Sequence, residues 1–229
     1  MREKRTFYAE AAYFAGLLAL AFGTALMERA DFGMSMVVAP AYLLHLKISQ
    51  TVPAYSFGIS EYVFQAALLV VISIVMKGFK KGYLFSFVTA VLYGSALDNC
   101  MSLVSRMAAE GLLWRWALYV SGMLICALGI AFLFRTYIAP EAYELFVKEL
   151  AARYGWPISR VKTVYDCCSC LAGVALSFAF FGFGRFEGVK WGTILCALVN
   201  GWLIGRMSAG LDAAFVFRDA LKLRGFFEQ

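Results

Sequence analysis

Charged residues and histidine are scarce in this sequence of 229 residues. Only 16% of the residues are charged, against about 25% in an average soluble domain, and 62% are hydrophobic. This balance excludes a cytosolic enzyme, a disordered tail and a disulfide-built secreted module. The single histidine, His45, leaves almost no base for a Ser or Cys nucleophile, and Walker, dinucleotide-binding and HExxH motifs are missing. We therefore expect that the protein is not an enzyme.

Stretches without a single Asp, Glu, Lys, Arg or His occupy much of the chain. Six of them approach the roughly 20 residues that a helix needs to cross a bilayer, namely 11–27, 62–76, 82–97, 116–134, 167–184 and 191–205. A seventh stretch, 32–44, is too short to cross and predicts a re-entrant or interfacial half-helix. The sequence therefore predicts an all-α, polytopic membrane protein with six transmembrane helices, forming a single membrane domain over residues 1–229.

The positive charges are divided unevenly between the two sides of these spans. Of the 21 Lys and Arg residues, 15 lie in the amino terminus, the loops after the second and fourth spans and the carboxyl-terminal tail, and 6 lie on the opposite side. By the positive-inside rule, we expect a multi-pass protein of the bacterial inner membrane with both termini in the cytoplasm. The cations are scattered between apolar runs, so we expect the lipid bilayer, and no nucleic acid, as a partner.

An internal repeat organises the chain. Residues 57–65 (FGISEYVFQ) align with 158–166 (ISRVKTVYD), and the apolar stretches that follow also coincide. The first repeat covers about 8–105 and the second about 114–212, followed by a tail at 213–229. Each half contains three crossings and one short helix, so the halves enter the membrane from opposite sides. Such inverted repeats are common among transporters.

The short helix of the second repeat, at 140–154, has an amphipathic pattern. Four apolar residues form one stripe, and three charged residues, Glu141, Glu144 and Lys148, lie opposite. Pro140 suits a first helical turn and Gly155 a stop. The pattern predicts a cytoplasmic helix that lies on the bilayer with its charged face in water.

Few polar groups fall within the predicted spans, and these are the candidate substrate-binding residues. Asp166 and its repeat counterpart Gln65 are the first pair, although an interfacial ion pair between Asp166 and Lys162 is an open alternative. The other candidates, which also suit helix packing or ordinary surface exposure, are Asp98, Asn200 and Ser35, the last at the start of the first half-helix.

The six cysteines lie nearly all within apolar stretches. This placement is typical of buried thiols that pack as small hydrophobic groups. Cys167 and Cys170 share a helix face, which leaves a soft-metal site as an alternative, but neither a CxxC pair nor a nearby histidine supports it. We therefore expect no cofactor and no metal site.

Three glycine-containing elements give the chain a family resemblance. These are Gly33-Met34-Ser35, the GSALD sequence at 94–98 and the GVKWGT sequence at 188–193, which runs on to Gly201. In this order they resemble the YczE/YyaS/YitT-type bacterial integral membrane proteins. The resemblance implies an inner-membrane protein of about six spans and no particular chemistry.

Two functions therefore remain open from the sequence. The first is transport or binding of a small polar solute, with the candidate polar residues lining the interior. The second is a membrane-embedded regulatory or scaffold protein that recruits a cytoplasmic partner through 140–154. Assembly with a second copy of the chain is also left open.

Overall fold

The structure, a computed structural model, describes residues 5–33, 35–55, 57–80, 82–107, 110–221 and 224–227. Helices form about three quarters of this part of the chain. They are α1 (Ala9–Ala30), α2 (Ala39–Ile48), α3 (Phe57–Met76), α4 (Gly82–Val104), α5 (Leu112–Leu133), α6 (Ala142–Tyr154), α7 (Ile158–Phe181), α8 (Trp191–Ala214) and the short α9 (Arg224–Phe227). Two short strands, β1 (Arg5–Tyr8) and β2 (Phe215–Arg218), flank the bundle.

Six of these helices are long and apolar enough to cross a membrane: α1, α3, α4, α5, α7 and α8. This result confirms the predicted all-α polytopic fold with six spans. The helices extend beyond several of the uncharged stretches, most clearly in α3 and α7, which begin at Phe57 and Ile158. Glu61, Lys162 and Asp166 therefore lie within spanning helices.

The two halves of the chain pack in matching ways. Within the first half α1 packs against α4, and the equivalent helices of the second half, α5 and α8, also pack together. The short helix of each half packs against a span of the other half, α2 against α7 and α6 against α3. The first helices of the halves, α1 and α5, lie against each other in opposite directions, since Gly16 adjoins Gly129 and Gly23 adjoins Gly122. The chain is thus built from two inverted repeats of three spans, each with one short helix.

Helices α1 and α5 form the central contact of the bundle. A methyl group added at Gly23 would lie 2.7 Å from the carbonyl oxygen of Gly122, and one at Gly129 would lie 2.7 Å from that of Gly16. These distances are shorter than van der Waals contact, so only glycine allows the two backbones to approach this closely. Small residues serve the same purpose in many membrane helix pairs.

Both ends of the described chain lie on the same side of the bundle. Strand β1, which leads into α1, pairs in parallel with β2, which follows α8, and Arg5 is opposite Phe215 in the register. An even number of spans requires this arrangement. The ends of α3 and α5 and the start of α7 belong to this side as well, which we call the terminal side.

Candidate binding site at the centre of the bundle

Helix α6 begins inside the bundle, at the end of a buried and irregular segment, 136–141. The hydroxyls of Ser86 and Thr89 on α4 donate to the carbonyl oxygens of Pro140 and Ala139, the latter over 2.8 Å. The backbone N–H of Ala142 donates to Oε1 of Gln65 over 3.2 Å. Side chains of α3 and α4 thus satisfy backbone groups of a buried segment that has no regular secondary structure of its own.

The depth of this helix start follows from the neighbouring spans. Gln65 lies about 16 Å from the end of α3 at Met76, at 1.5 Å per residue. Arg153, in the last turn of α6, donates to the carbonyl oxygen of Val75, near that same end of α3. Helix α6 therefore runs from the middle of the bundle out to its terminal side, as a half-helix does.

The prediction that 140–154 lies on the bilayer with a solvated charged face is wrong. Glu141 and Glu144 are each 2% exposed, and the first turns of α6 are enclosed by α3, α4 and α7. Periodicity correctly places these two residues on a shared face, but that face packs into the protein. Lys148 is only partly buried, and it donates to the carbonyl oxygen of Thr136.

A buried charge cluster surrounds Lys162 of α7, which is completely inaccessible to solvent. Its ammonium donates to Oε1 of Glu144 over 2.7 Å and lies 3.0 Å from Oδ1 of Asp166. Asn200 of α8 in turn donates from Nδ2 to Oδ2 of Asp166 over 3.2 Å. The predicted pair of Lys162 and Asp166 therefore exists, but in the protein interior and not at the membrane interface.

A second set of polar groups, on α3, meets the start of α6 from the other side. Oε2 of Glu61 accepts hydrogen bonds from Tyr143 over 2.9 Å and from Gln65 Nε2 over 3.3 Å. Glu61 is 2% exposed and Gln65 is fully buried. The two repeats thus place an i,i+4 polar pair at equivalent positions, Glu61 with Gln65 and Lys162 with Asp166.

A small enclosed cavity of about 20 Å³ lies between these groups. A cavity of roughly this volume holds about one water molecule or an ion of similar size. Its polar lining comes from both halves of the chain and includes Thr24, Ser35, Tyr93, Glu141, Tyr143, Glu144, Lys162 and Asn200.

Three buried oxygen atoms in this lining have no hydrogen-bond partner. They are Oε1 of Glu141, Oε2 of Glu144 and Oδ1 of Asn200. Buried polar groups in native proteins are nearly always paired, so atoms of this kind need an explanation such as an ion or a ligand. We call this enclosed space with its three unpaired acceptors the inner cavity.

A larger polar cavity of about 390 Å³ approaches the same region from the terminal side. Its lining includes Ala139 and Pro140, which immediately precede Glu141, and the basic residues Arg135 and Lys148. We call it the vestibule. The segment 139–141 therefore separates a vestibule from an inner cavity.

The predicted site residues differ in how close they lie to the inner cavity. Ser35 and Asn200 line it, and Asp166 and Gln65 belong to the polar groups around it. Ser35 lies four residues before the first residue of α2, and its carbonyl oxygen accepts from the N–H of Ala39. Met34, in the same sequence element, lies outside the described residues.

Asp98 does not join this cluster, in contrast to its predicted place in a polar interior. Asp98 is exposed on α4, about 9 Å before the end of that helix at Val104. The span continues beyond the uncharged stretch by about two turns, which is why the sequence alone suggested that Asp98 closes the helix. Tyr93, on the buried face of the same helix, does face the interior, and its hydroxyl donates to Oγ1 of Thr24 over 3.1 Å.

Sequence reasoning did not name Glu61 or Tyr143, and it assigned Glu141 and Glu144 to a solvated face. It named Lys162 only as an interfacial partner of Asp166. One usable signal was available, because the repeat alignment that pairs Gln65 with Asp166 also sets Glu61 against Lys162. A charged residue in both copies at the same position, four residues before a second polar residue, indicates a buried polar face.

The cysteines differ in exposure. Three are buried (Cys126, Cys170 and Cys196), two are partly buried (Cys100 and Cys167), and Cys168 is exposed on α7, so the prediction of buried thiols fails for Cys168. Cys126 and Cys196 line the inner cavity. An apolar stretch on a spanning helix has a lipid-facing side as well as a packed side. Within the described residues, no group of three or more His, Cys, Asp or Glu side chains is arranged to hold a metal ion.

Glu141 immediately precedes the first residue of α6 and lies outside the six spanning helices. Burial raises its pKa well above the usual range, and the nearby carboxyls of Glu61 and Glu144 raise it further, while Lys162 opposes them. Its carboxyl therefore tends to stay protonated unless a positive charge lies beside it.

These features define an integral membrane protein of inverted-repeat architecture with a polar cluster at its centre. The chain belongs to a family of unknown function, DUF6198, whose model matches residues 7–209. That match spans both repeats but lends no specific support to the YczE/YyaS/YitT resemblance. No curated protein and no solved structure matches the chain.

Proposed function

We propose that this protein transports a small polar solute across the bacterial inner membrane. The observation that carries the proposal is the inner cavity, which holds unpaired acceptors at the start of a half-helix that contacts Gln65 near the middle of α3. Burying unpaired polar atoms costs stability, and ionisable groups at membrane depth are rare outside functional sites. The proposal assigns the protein no catalytic reaction.

The architecture supports alternating access to this cavity. Transporters of several folds bind substrate near the midplane, between inverted repeats and beside the ends of broken helices. Here α2 and α6 are the short helices, and residues before each of them, Ser35 and Glu141, line the cavity. On the terminal side Ala139 and Pro140 line the vestibule and Glu141 lines the cavity, so a shift of the segment 139–141 would join the two spaces and make room for a solute larger than one ion.

Ligand binding is tested first by a thermal-shift screen of the purified chain against amino acids, vitamins and nucleobases. We expect at least one compound to raise the melting temperature of the native chain. Asp166→Asn removes one charge of the cluster at constant shape, so it should abolish that shift. Asp98→Asn makes the same change at an exposed position of another span and should preserve the shift.

A compound found in this way is then followed in proteoliposomes. Protein-dependent uptake that Asp166→Asn abolishes and Asp98→Asn retains supports transport. A panel without any stabilising compound, or a stabilising compound that never crosses the membrane, contradicts it.

The proposed orientation has its own test. With both termini in the cytoplasm, alkaline phosphatase fused after Gly182 should be active, and the same enzyme fused after Gly155 or Gln229 should be inactive. The reason is that Gly182 follows α7 on the side opposite the termini, whereas Gly155 follows α6 on the terminal side. The reverse pattern of activity contradicts the positive-inside assignment.

A scaffold function through 140–154 has no comparable support. It requires a charged helix face open to a cytoplasmic partner, whereas Glu141 and Glu144 are buried.

A further inference from the structure

We propose that the inner cavity binds a small monovalent cation, with Glu141, Glu144 and Asn200 as its oxygen ligands. The proposal deepens the proposed function and rests on it for its biological meaning, because the cation is then the transported species or the coupling ion. The binding itself is measured without any transport assay.

The chemistry of the unpaired atoms is the first argument. All three in the lining are acceptors: two carboxylate oxygens and one amide oxygen. The donors nearby are already engaged, since Asn200 Nδ2 binds Asp166 and the Lys162 ammonium binds Glu144 and Asp166. An occupant must therefore supply positive charge or hydrogen-bond donors and needs no acceptor of its own.

The charge balance is the second argument. In the part of the chain that the structure describes, the buried cluster contains four carboxyl groups, from Glu61, Glu141, Glu144 and Asp166, and one cation, Lys162. An ion pair balances one of the carboxylates. Taking the remaining negative charges out of water is too costly for all of them to stay ionised without compensation. A bound cation removes part of this excess where the oxygens are unpaired.

The geometry of the cavity limits the occupant to a small ion. About 20 Å³ suits one sodium, potassium or ammonium ion and leaves no room for a larger organic cation. Two carboxylates and an amide give a small set of hard oxygen ligands, whereas Ca²⁺ takes six to eight oxygens. The raised pKa of Glu141 agrees with a site that lacks its counter-charge.

The experiment measures thermal stability of the full chain in detergent at one fixed pH. N-methyl-D-glucamine chloride provides the background, and sodium, potassium, ammonium or methylammonium chloride replaces it at constant ionic strength. We expect a saturable rise in melting temperature of about 2–4 °C with at least one small cation, and none with tetramethylammonium. The sodium and potassium arms identify an inorganic ion, and the ammonium and methylammonium arms identify a nitrogen cation.

Matched variants locate the effect. Glu141→Gln removes one ligand charge at constant shape and should reduce the apparent affinity for the cation at least about tenfold. Glu149→Gln makes the same change on α6, where the side chain pairs with Lys80 by the vestibule, and should leave the affinity unchanged. The size selectivity of the native chain needs no variant, so it is decisive even if Glu141→Gln fails to fold.

Two results overturn the inference. One is equal stabilisation by every salt, which indicates ionic strength alone. The other is no stabilisation by any small cation, which indicates that protons alone neutralise the cluster. A cation response without solute transport leaves this inference standing and contradicts the proposed function, whereas solute transport without a cation response does the reverse.

Discussion

Replacing Lys162 with methionine is expected to destabilise the protein by about 3–5 kcal/mol, a large fraction of the roughly 5–15 kcal/mol that separates folded from unfolded states in most proteins. Methionine fills a similar volume but leaves Glu144 and Asp166 buried without their shared cation, and Lys162 is fully buried within 3.0 Å of both. Breaking a buried ion pair by removing one partner is far more costly than removing the whole pair. Unfolding of the purified protein in a detergent titration measures the loss.

Two further variants show that the charge is responsible. Lys80→Met removes an ion pair of similar length, 2.6 Å to Glu149, but Lys80 is 47% exposed, so its loss should cost about 1 kcal/mol or less. Adding Glu144→Gln and Asp166→Asn to Lys162→Met removes the stranded carboxylates and should restore much of the stability. If Lys162→Met alone is as stable as Lys80→Met, then the cluster is not an ionic unit.

The spans could be predicted from the sequence because the bilayer imposes the strongest constraint on composition. The hydrocarbon core of the bilayer excludes charged side chains from the lipid-facing surface, so a spanning helix is visible in the sequence as an uncharged stretch. The repeat was visible for the same reason, since equivalent spans repeat the same apolar pattern. The rule fails where a helix packs inward. Glu61 and Asp166 limit the second and fifth uncharged stretches, and the sequence alone therefore placed the starts of α3 and α7 too late.

The central cluster could not be predicted because periodicity does not say what a helix face touches. Glu141 and Glu144 share a face of α6, and that pattern suits water as well as a polar protein interior. The outcome depends on where the helix begins, and the contacts of Gln65 and Thr89 with the preceding segment decide it. Two predicted residues, Asp166 and Gln65, were found because a charge or an amide within a span is unusual wherever it points.

The second large effect is expected at the contact between α1 and α5. Gly23→Ala should destabilise the protein by about 1–3 kcal/mol, because the new methyl group would lie 2.6 Å from Sγ of Cys126 and 2.7 Å from the carbonyl oxygen of Gly122. Gly210→Ala, on α8, places its methyl group in open space. This substitution should stabilise the protein, raising the free energy of unfolding by about 0.5–1 kcal/mol, because alanine has a higher helix propensity than glycine.

The opposite effects of these two substitutions on stability distinguish the cost of disturbing close packing from the gain in helix propensity. Gly16→Ala provides an independent position, since its methyl group would lie 2.8 Å from the carbonyl oxygen of Gly129. Detergent unfolding of all three variants measures the effects, and equal stabilisation by alanine at Gly23 and Gly210 contradicts the close approach. Cys126 also lines the inner cavity, so a forced separation at Gly23 should weaken cation binding as well as stability. The glycine contact between the two repeats therefore positions Cys126 at the wall of the site that they enclose.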